Sequence, residues 1–441
     1  MRIMGIFKAY DIRGIYPTEL DEEIAYKIAR AFVSHLKVTE VVVAMDCRPS
    51  SVGLKKSIIK GITDQGADVV DIGLSTTPMY YWAIANYKRQ SGIMITASHN
   101  PKEYNGLKLC KEMAINLHAK LGMPEIKELF EKGEFVDPEK KGTVRKQDAL
   151  NEYHAFIIKL IGEKLPFKVA VDCANGMSSL DLPVFKKLNC EVDAIFSELD
   201  GTFPNHEADP LKPANTTELQ EKIKSGYDLG IAFDGDSDRV VFIDENGQRA
   251  QTDLIVAVLA LKILEQHPGA NIVHDLRTSW IVADVIKEHG GKPLINRVGH
   301  SFLKHRMRDE DAAFAGELSG HLFYKDIFYT DNALYSALLV LSVMKETGKK
   351  LSELLKPLQV YFASGEINFK VKDKDAKIAE LKKEFSDGKL LEIDGITVSY
   401  DDWWFNVRPS NTEEVVRLTL EAKTKEKKEE MVERITGMLS S

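Results

Sequence analysis

Three aspartates stand at alternate positions in "DGDSDR": Asp234, Asp236 and Asp238. In an extended or tightly turned segment, that spacing can bring carboxylates to one point. Three hard oxygen donors suit Mg²⁺ or Ca²⁺. An EF-hand loop is the competing pattern. Counted from Asp234, its sixth position requires Gly and holds Arg239, although Glu245 falls at the twelfth. The flanks "LGIAF" and "VVFI" read as strands, whereas an EF-hand needs helices. A solvated acidic turn is the plain alternative. A second polar loop, "TASHNP" at 96–101, presents Ser98 and His99 directly after the apolar "SGIMI". Ser98 there is either a nucleophile or a turn residue, because Ser, His and Asn before Pro commonly help a chain turn. The pattern is not a Gly-x-Ser-x-Gly elbow. Two further polar segments are "GELSGH" at 316–321 and "RPSNT" at 408–412. In the latter, Arg408 with the neutral donors Ser410, Asn411 and Thr412 suits bidentate phosphate recognition, or forms a simple polar turn.

If Ser98 carried a phosphoryl group, it would add a charge of about −1.5 to −2 to that of the three aspartates. One divalent ion would leave the site net negative, so basic groups are needed nearby. Candidates in turn-like contexts are Arg13 in "YDIRG", Lys108 in "NGLK", Arg239, Arg277 and Arg408.

These loops hang on a layout that occurs three times. Residues 40–73, 168–196 and 271–300 each read strand, turn, helix, strand. Each first strand ends in an aspartate: Asp46, Asp172 and Asp275. A strand–helix–strand of this length implies a parallel pair with a right-handed crossover. Each copy then supplies a later apolar strand and a polar loop: "SGIMI" with "TASHNP", "LGIAF" with "DGDSDR", "AAFA" with "GELSGH". Ligands of open α/β sheets bind at the C-terminal ends of strands, so three such loops can serve one cleft. The tail from about residue 363 differs. It reads strand, helix, short strands and a final helix, which suggests a smaller α+β domain, with a linker near "YFASGE".

The bulk numbers narrow the class. A net charge of −8, with Lys and Arg spread along the chain, gives no electrostatic case for nucleic acid. The most apolar stretches, 254–264 and 333–344, are too short to span a bilayer and predict buried helices. No membrane partner is expected. The start "MRIMGIFKAYDIRG" has no apolar core of signal-peptide length. The cysteines Cys47, Cys110, Cys173 and Cys190 form no Cys-x-x-Cys pair, so free thiols in a cytoplasmic protein are expected.

"TASHNP", "DGDSDR", "GELSGH" and "RPSNT", in this order and at these separations, resemble the α-D-phosphohexomutase superfamily, nearest its bacterial phosphomannomutase/phosphoglucomutase branch. The resemblance covers nearly the whole chain, including "FKAYDIRG". It implies three similar mixed-sheet α/β domains plus a smaller α+β C-terminal domain around a central cleft. The expected spans are 1–148 with the phosphoserine loop, 149–252 with the metal loop, 253–363 with the sugar loop and 364–441 with the phosphate loop.

The resemblance also implies residue roles. Ser98 matches the phosphoryl carrier, and Asp234, Asp236 and Asp238 match the Mg²⁺ ligands, with an oxygen of phosphoserine 98. Glu317 and Ser319 match residues that hold sugar hydroxyls. Arg408, Ser410, Asn411 and Thr412, with Arg417 nearby, match the site of the non-reacting phosphate. Tyr10, Arg277 and His321 join the substrate-binding set. Arg13, His99, Lys108, Arg239 and His300 match residues around the reacting group, with Lys108 and His300 as candidates for proton transfer. Glu414 stands where the family usually has Pro, a departure in the loop backbone. The implied activity is reversible phosphoryl transfer between hexose 1-phosphate and hexose 6-phosphate of mannose or glucose. Hexose 1,6-bisphosphate is its intermediate and activator, and the partners are small sugar phosphates. Other readings are an amino-sugar (glucosamine) phosphate mutase, a metal-dependent sugar phosphatase, or a non-enzymatic sugar-phosphate binder. Asn411 argues against the amino-sugar branch, which usually has Gly there. No oligomeric state is written in these motifs.

Overall fold

The computed structural model describes residues 5–409 and 415–440. The chain divides into two compact units, Met1–Ala250 with Ser319–Ser352, and Gln251–Leu318 with Glu353–Ser441.

In the first unit, seven strands form one mixed sheet: β1 (Ile12–Ile15), β2 (Glu40–Met45), β3 (Asp68–Leu74), β4 (Ser91–Ile95), β5 (Tyr104–Lys111), β6 (Ile115–Asn116) and β7 (Val144–Lys146). The order is β1-β5-β4-β2-β3-β7, with β6 on β5. β2 pairs in parallel with β3 on one side and β4 on the other, and β5 runs antiparallel to β4. A strand covered on both faces needs a continuous apolar run, and Val41 to Ala44 of β2 are all buried. Helix Glu22–Leu36 begins where the Asp21 carboxylate accepts the Ile24 N–H, one of the donors a helix start leaves open. It buries Ala25, Ile28, Ala29 and Phe32 at helical spacing, in one cluster with Val41 and Val43 of β2. The chain order reverses at β2, so the loops leaving β2 and β4 open on the same crevice.

The second copy repeats this on a smaller scale. β8 (Lys168–Asp172), β9 (Glu191–Ile195), β10 (Leu229–Phe233) and β11 (Val240–Ile243) lie in the order β11-β10-β8-β9. β8 is parallel to β9 and β10, and β11 is antiparallel to β10. The third copy, in the second unit, places β12 (Asn271–Asp275) in parallel with β13 (Lys292–Asn296) and β14 (Phe314–Gly316). The three copies therefore share strand order as well as sequence layout. Helix Thr252–Gln266 buries its apolar run almost all round. In the first unit, β15 (Leu322–Tyr324) pairs with β16 (Thr330–Asp331), and helix Ala333–Thr347 carries the other buried apolar stretch. Among the described residues no helix is long and apolar enough to cross a membrane.

The tail is an antiparallel sheet, β17 (Phe362–Phe369), β18 (Lys389–Leu391), β19 (Ile396–Ser399), β20 (Trp403–Pro409) and β21 (Val416–Ala422), in the order β17-β21-β20-β19-β18. Helices Lys374–Glu384 and Lys425–Ser440 share its core through Leu381 and Ile435. One expectation fails here. The "YFASGE" segment is not a linker but runs into β17, which pairs with β21 from Phe362 onward. Its Ser and Gly form a bulge between Ala363 and Glu366, with Gly365 at φ +70°. An extra residue in one strand re-aims the side chains that follow, here Glu366.

Candidate active site

The acidic loop leaves β10 and turns back into β11. Backbone N–H groups of Asp238 and Arg239 donate to Asp234 Oδ1 at 3.0 and 3.1 Å, which folds the loop around that carboxylate. All three aspartates are buried, and one ligand atom from each lies within 4.8 Å of the others. The EF-hand reading is thereby excluded, since strands flank the loop. Burial, then the charges of Asp238 and Asp236, push the Asp234 carboxyl well above its ordinary range. Burial alone would raise Asp238 too, but Lys108 and His321 hold it well below. Asp236 Oδ1 is buried and no hydrogen bond from a described residue reaches it. A buried carboxylate oxygen is costly unless a donor or a cation meets it. Three converging carboxylates of hard oxygens fit a divalent cation.

Ser98 meets this loop directly. Its Oγ donates to Asp234 Oδ2 at 2.8 Å and lies 3.2 Å from His99 Nδ1. The Ser98 backbone is left-handed, φ +51°, and its N–H donates to Thr96 Oγ1 at 2.9 Å. Such a conformation in a non-glycine residue persists only where its surroundings enforce it. The two loops also touch through their backbones. A Cβ on Gly235 would lie 2.6 Å from the Ser98 carbonyl oxygen, so only glycine fits there. Thr77 and Thr96 both donate to Asp236 Oδ2, at 2.7 and 3.2 Å.

Cations gather on the same carboxylates. Lys108 Nζ pairs with Asp236 at 2.7 Å and also with Asp238. Burial alone would lower this ammonium, but Asp236 and Asp238 outweigh it and hold it above its ordinary value. His321 Nε2 lies 3.2 Å from Asp238 Oδ1, Ser319 Oγ lies 2.8 Å from His321 Nδ1, and Arg239 Nε lies 3.4 Å from His321 Nε2. Arg13, on β1, reaches Asn100 and Asp11, with Tyr10 half-buried just before that strand. Burial, then Arg239 and Arg13, push the His99 imidazole well below its ordinary value, so it stays neutral.

The second unit assembles a different set. At the end of β12, Asp275 holds Arg277, with Oδ2 2.7 Å from Nη2 and Oδ1 2.7 Å from the backbone N. Arg277 Nη2 lies 3.7 Å from Glu317, the residue that follows β14. Glu317 Oε1 accepts the Gly299 N–H at 2.9 Å, directly before His300 opens helix His300–Asp309. Arg408 and Arg417 face each other across β20 and β21. Two like charges in that position repel, and Glu366 lies between them in charge. It takes Arg408 at 2.7 Å, Arg417 at 3.2 Å and Arg277 at 3.5 Å. Burial would raise the Glu366 carboxyl, but the three arginines outweigh it and lower it. Ser410, Asn411, Thr412 and the Glu414 departure lie outside the described residues.

Comparison with known proteins bears on the same segments. The description "Phosphoglucomutase/phosphomannomutase, alpha/beta/alpha domain I" matches residues 4–137, domain II residues 147–247 and domain III residues 251–361. The family's C-terminal domain matches residues 366–438. A phosphomannomutase of Methanocaldococcus jannaschii is 39% identical over 99% of this chain and 97% of its own length. The chain belongs to the phosphoglucomutase/phosphomannomutase family. A phosphomannomutase of Salmonella montevideo is 38% identical over 96% of both chains. The crystal structure of a phosphoglucomutase/phosphomannomutase family protein from Burkholderia thailandensis superposes with a TM-score of 0.90 at 33% identity, covering 98% of this chain and 96% of that one.

Within this phosphoglucomutase/phosphomannomutase fold, the first unit brings together Ser98, His99, Lys108, Arg13, Arg239, Asp234, Asp236, Asp238, Ser319 and His321, while Arg277, His300, Glu317, Arg408 and Arg417 belong to the second. Sequence reasoning missed Glu366, whose "SGE" context reads as a turn. It also missed Thr77 and Thr96, whose types are ordinary at strand and helix ends. It passed over Arg48 as well, although "DCR" at 46–48 and "DLR" at 275–277 occupy the same place in the repeat.

Proposed function

We propose that this chain moves a phosphoryl group between the 1- and 6-positions of a hexose phosphate, through phosphoserine 98 and a hexose 1,6-bisphosphate. The observation that carries the reading is the 2.8 Å contact of Ser98 Oγ with Asp234 inside a buried three-aspartate cluster. Asp234, Asp236 and Asp238 would hold a divalent ion, Mg²⁺ by the hardness of the donors, which supplies charge neutralisation at the phosphoryl group. In the forward half, the bond from phosphorus to Ser98 Oγ breaks and one to the free sugar hydroxyl forms, while the hydroxyl proton passes to a base. In the return half, the other phosphate leaves its sugar oxygen for Ser98 Oγ, and that sugar oxygen takes a proton.

Positioning and charge stabilisation carry most of such a transfer. Lys108, held as an ammonium, and Arg239 offset negative charge on the moving group. His99, held neutral, shares a hydrogen bond with the reacting oxygen. General acid–base help in such steps is worth about 10²- to 10⁴-fold. Glu317 would hold sugar hydroxyls, and Arg408 and Arg417 the phosphate that is not reacting. Mannose phosphates are the first substrates to test, because phosphomannomutases match the chain over nearly its whole length. The amino-sugar and phosphatase readings have no observation of their own. The test supplies mannose 1-phosphate and glucose 1-phosphate with a trace of the bisphosphate and follows 6-phosphate and free phosphate together. Formation of 6-phosphate is expected. Release of phosphate alone would make the chain a phosphatase.

A further inference from the structure

We propose that Arg48 is the positioning residue of the phosphoserine loop, and that Phe203 is the cover that holds it in place. This inference rests on the reading of Ser98 as the phosphoryl carrier. Arg48 leaves the end of β2, the strand beside β4, and its side chain is fully buried. Its Nε donates to Asp46 Oδ2 at 3.1 Å. Nη1 donates to the carbonyls of Pro101 and Tyr104 at 2.7 and 3.1 Å. Nη2 donates to those of Ser98 and Asn100 at 2.9 and 2.6 Å. A guanidinium has five N–H donors in a rigid fork, and here each has an acceptor.

Four of the five acceptors are backbone oxygens, three on the loop that presents Ser98 and one on Tyr104, where that loop enters β5. They turn inward because the fork is there. Turning the Ser98 carbonyl inward fixes the peptide plane on that side of the residue. The N–H bond to Thr96 fixes the other side. Between them the residue is held at φ +51° with Oγ on Asp234. Arg48 itself does not touch Oγ, so it acts through the loop.

The other face of the guanidinium is covered by the loop that follows β9. The Phe203 ring lies 4.8 Å from it, a cation–π distance. A Cβ on Gly201 would lie 2.4 Å from Arg48 Cα, so the covering loop runs against the Arg48 backbone. Asn205 and His206 tie that loop down on Asn175 and Asp172, at 2.8 and 3.0 Å. The repeat supports the assignment from a separate direction. Arg277 stands at the same place in the third copy, is likewise held by the aspartate two residues before it, and faces the loop after β14 through Glu317. The plan is thus an arginine at the end of the central strand that serves the functional loop on the neighbouring strand.

Lysine has three donors and no fork, so Arg48→Lys leaves at least two of the five acceptors unmet while keeping the charge beside Asp46. Arg48→Lys is expected to lower kcat by about 30- to 100-fold, the scale of a misplaced reacting group, with KM within about threefold of wild type. Single-turnover transfer from labelled phosphoserine 98 to hexose 1-phosphate should slow in parallel. Phe203→Leu keeps an apolar cover but removes the ring face, and a kcat loss of about three- to tenfold at unchanged KM is expected. A purely structural role would lower the melting temperature and leave kcat per folded molecule alone. Wild-type kcat and transfer rate in folded Arg48→Lys would overturn the inference. If Arg48→Lys does not fold, Phe203→Leu decides, and an unchanged kcat there overturns it equally. Wild-type enzyme that turns over without label on Ser98 would instead sink the reading of Ser98, a distinct result.

Discussion

Ser98 sits on a buried cluster of three carboxylates that Lys108 and His321 only partly offset. Burial and mutual repulsion raise Asp234, while the buried Oδ1 of Asp236 has no hydrogen bond from a described residue. A ligating cation relieves both. Chelation with EDTA is therefore expected to abolish turnover, and Asp236→Asn, which keeps the shape and removes the charge, to cut kcat/KM at least about a hundredfold. Turnover at the wild-type rate by chelated enzyme would contradict this. Glu366 gives a prediction about pH. Its carboxyl is lowered because Arg277, Arg408 and Arg417 outweigh the effect of burial. A carboxylate lowered on folding adds stability above its unfolded value of about 4.3 and loses it as pH falls through the folded value. Glu366→Gln should thus be less stable at pH 7 by about 1–3 kcal/mol, with the gap closing below a pH of about 4. Denaturant unfolding of both proteins at the two pH values checks it, and a gap independent of pH would refute the assignment.

Loops rather than strands decide the geometry, and the strands decide where the loops begin. β4 and β10 each end beside the central strand of their sheet, and their loops meet where Gly235 passes the Ser98 carbonyl. Neither contact atom belongs to a flexible side chain, so Gly235→Ala must move one loop. A loss of about a hundredfold in kcat/KM is expected, with about 1–3 kcal/mol of stability, read from kinetics and thermal unfolding of the same sample. A normal rate would mean that the loops need not touch. The strand pattern was legible in the sequence because buried parallel strands are continuous apolar runs, as in "VVVA" and "LGIAF". The acidic loop was legible because three alternating aspartates are rare as turn chemistry. The bulge at Ser364–Gly365 was not, since small residues that break a ladder look the same as those that end a domain. Arg48 was unread for a different reason. Its partners are carbonyl oxygens, which carry no residue type, on a loop beyond the next two strands.

At the scale of the molecule, one layout used three times carries the loops to which the proposal gives a phosphoryl carrier, a metal site and a sugar site, and a separate α+β domain carries Arg408 and Arg417. On the proposed function, binding energy at the phosphate that does not react helps to orient the end that does. Arg408→Ala should raise KM and lower kcat/KM by about ten- to a hundredfold, while Ser98 still accepts label, since the transfer itself is assigned to other residues. Steady-state kinetics with a labelling control separates these outcomes. The central claim is that the phosphoryl group passes through Ser98. It is tested most directly by loading the enzyme with radiolabelled phosphate at Ser98, adding unlabelled hexose 1-phosphate and following the label in a rapid quench. The account predicts that label leaves Ser98, enters a hexose bisphosphate and then appears in hexose 6-phosphate, and that Ser98→Ala neither takes up label nor turns over. Label released as free phosphate without entering the sugar, or a wild-type rate in Ser98→Ala, would contradict it.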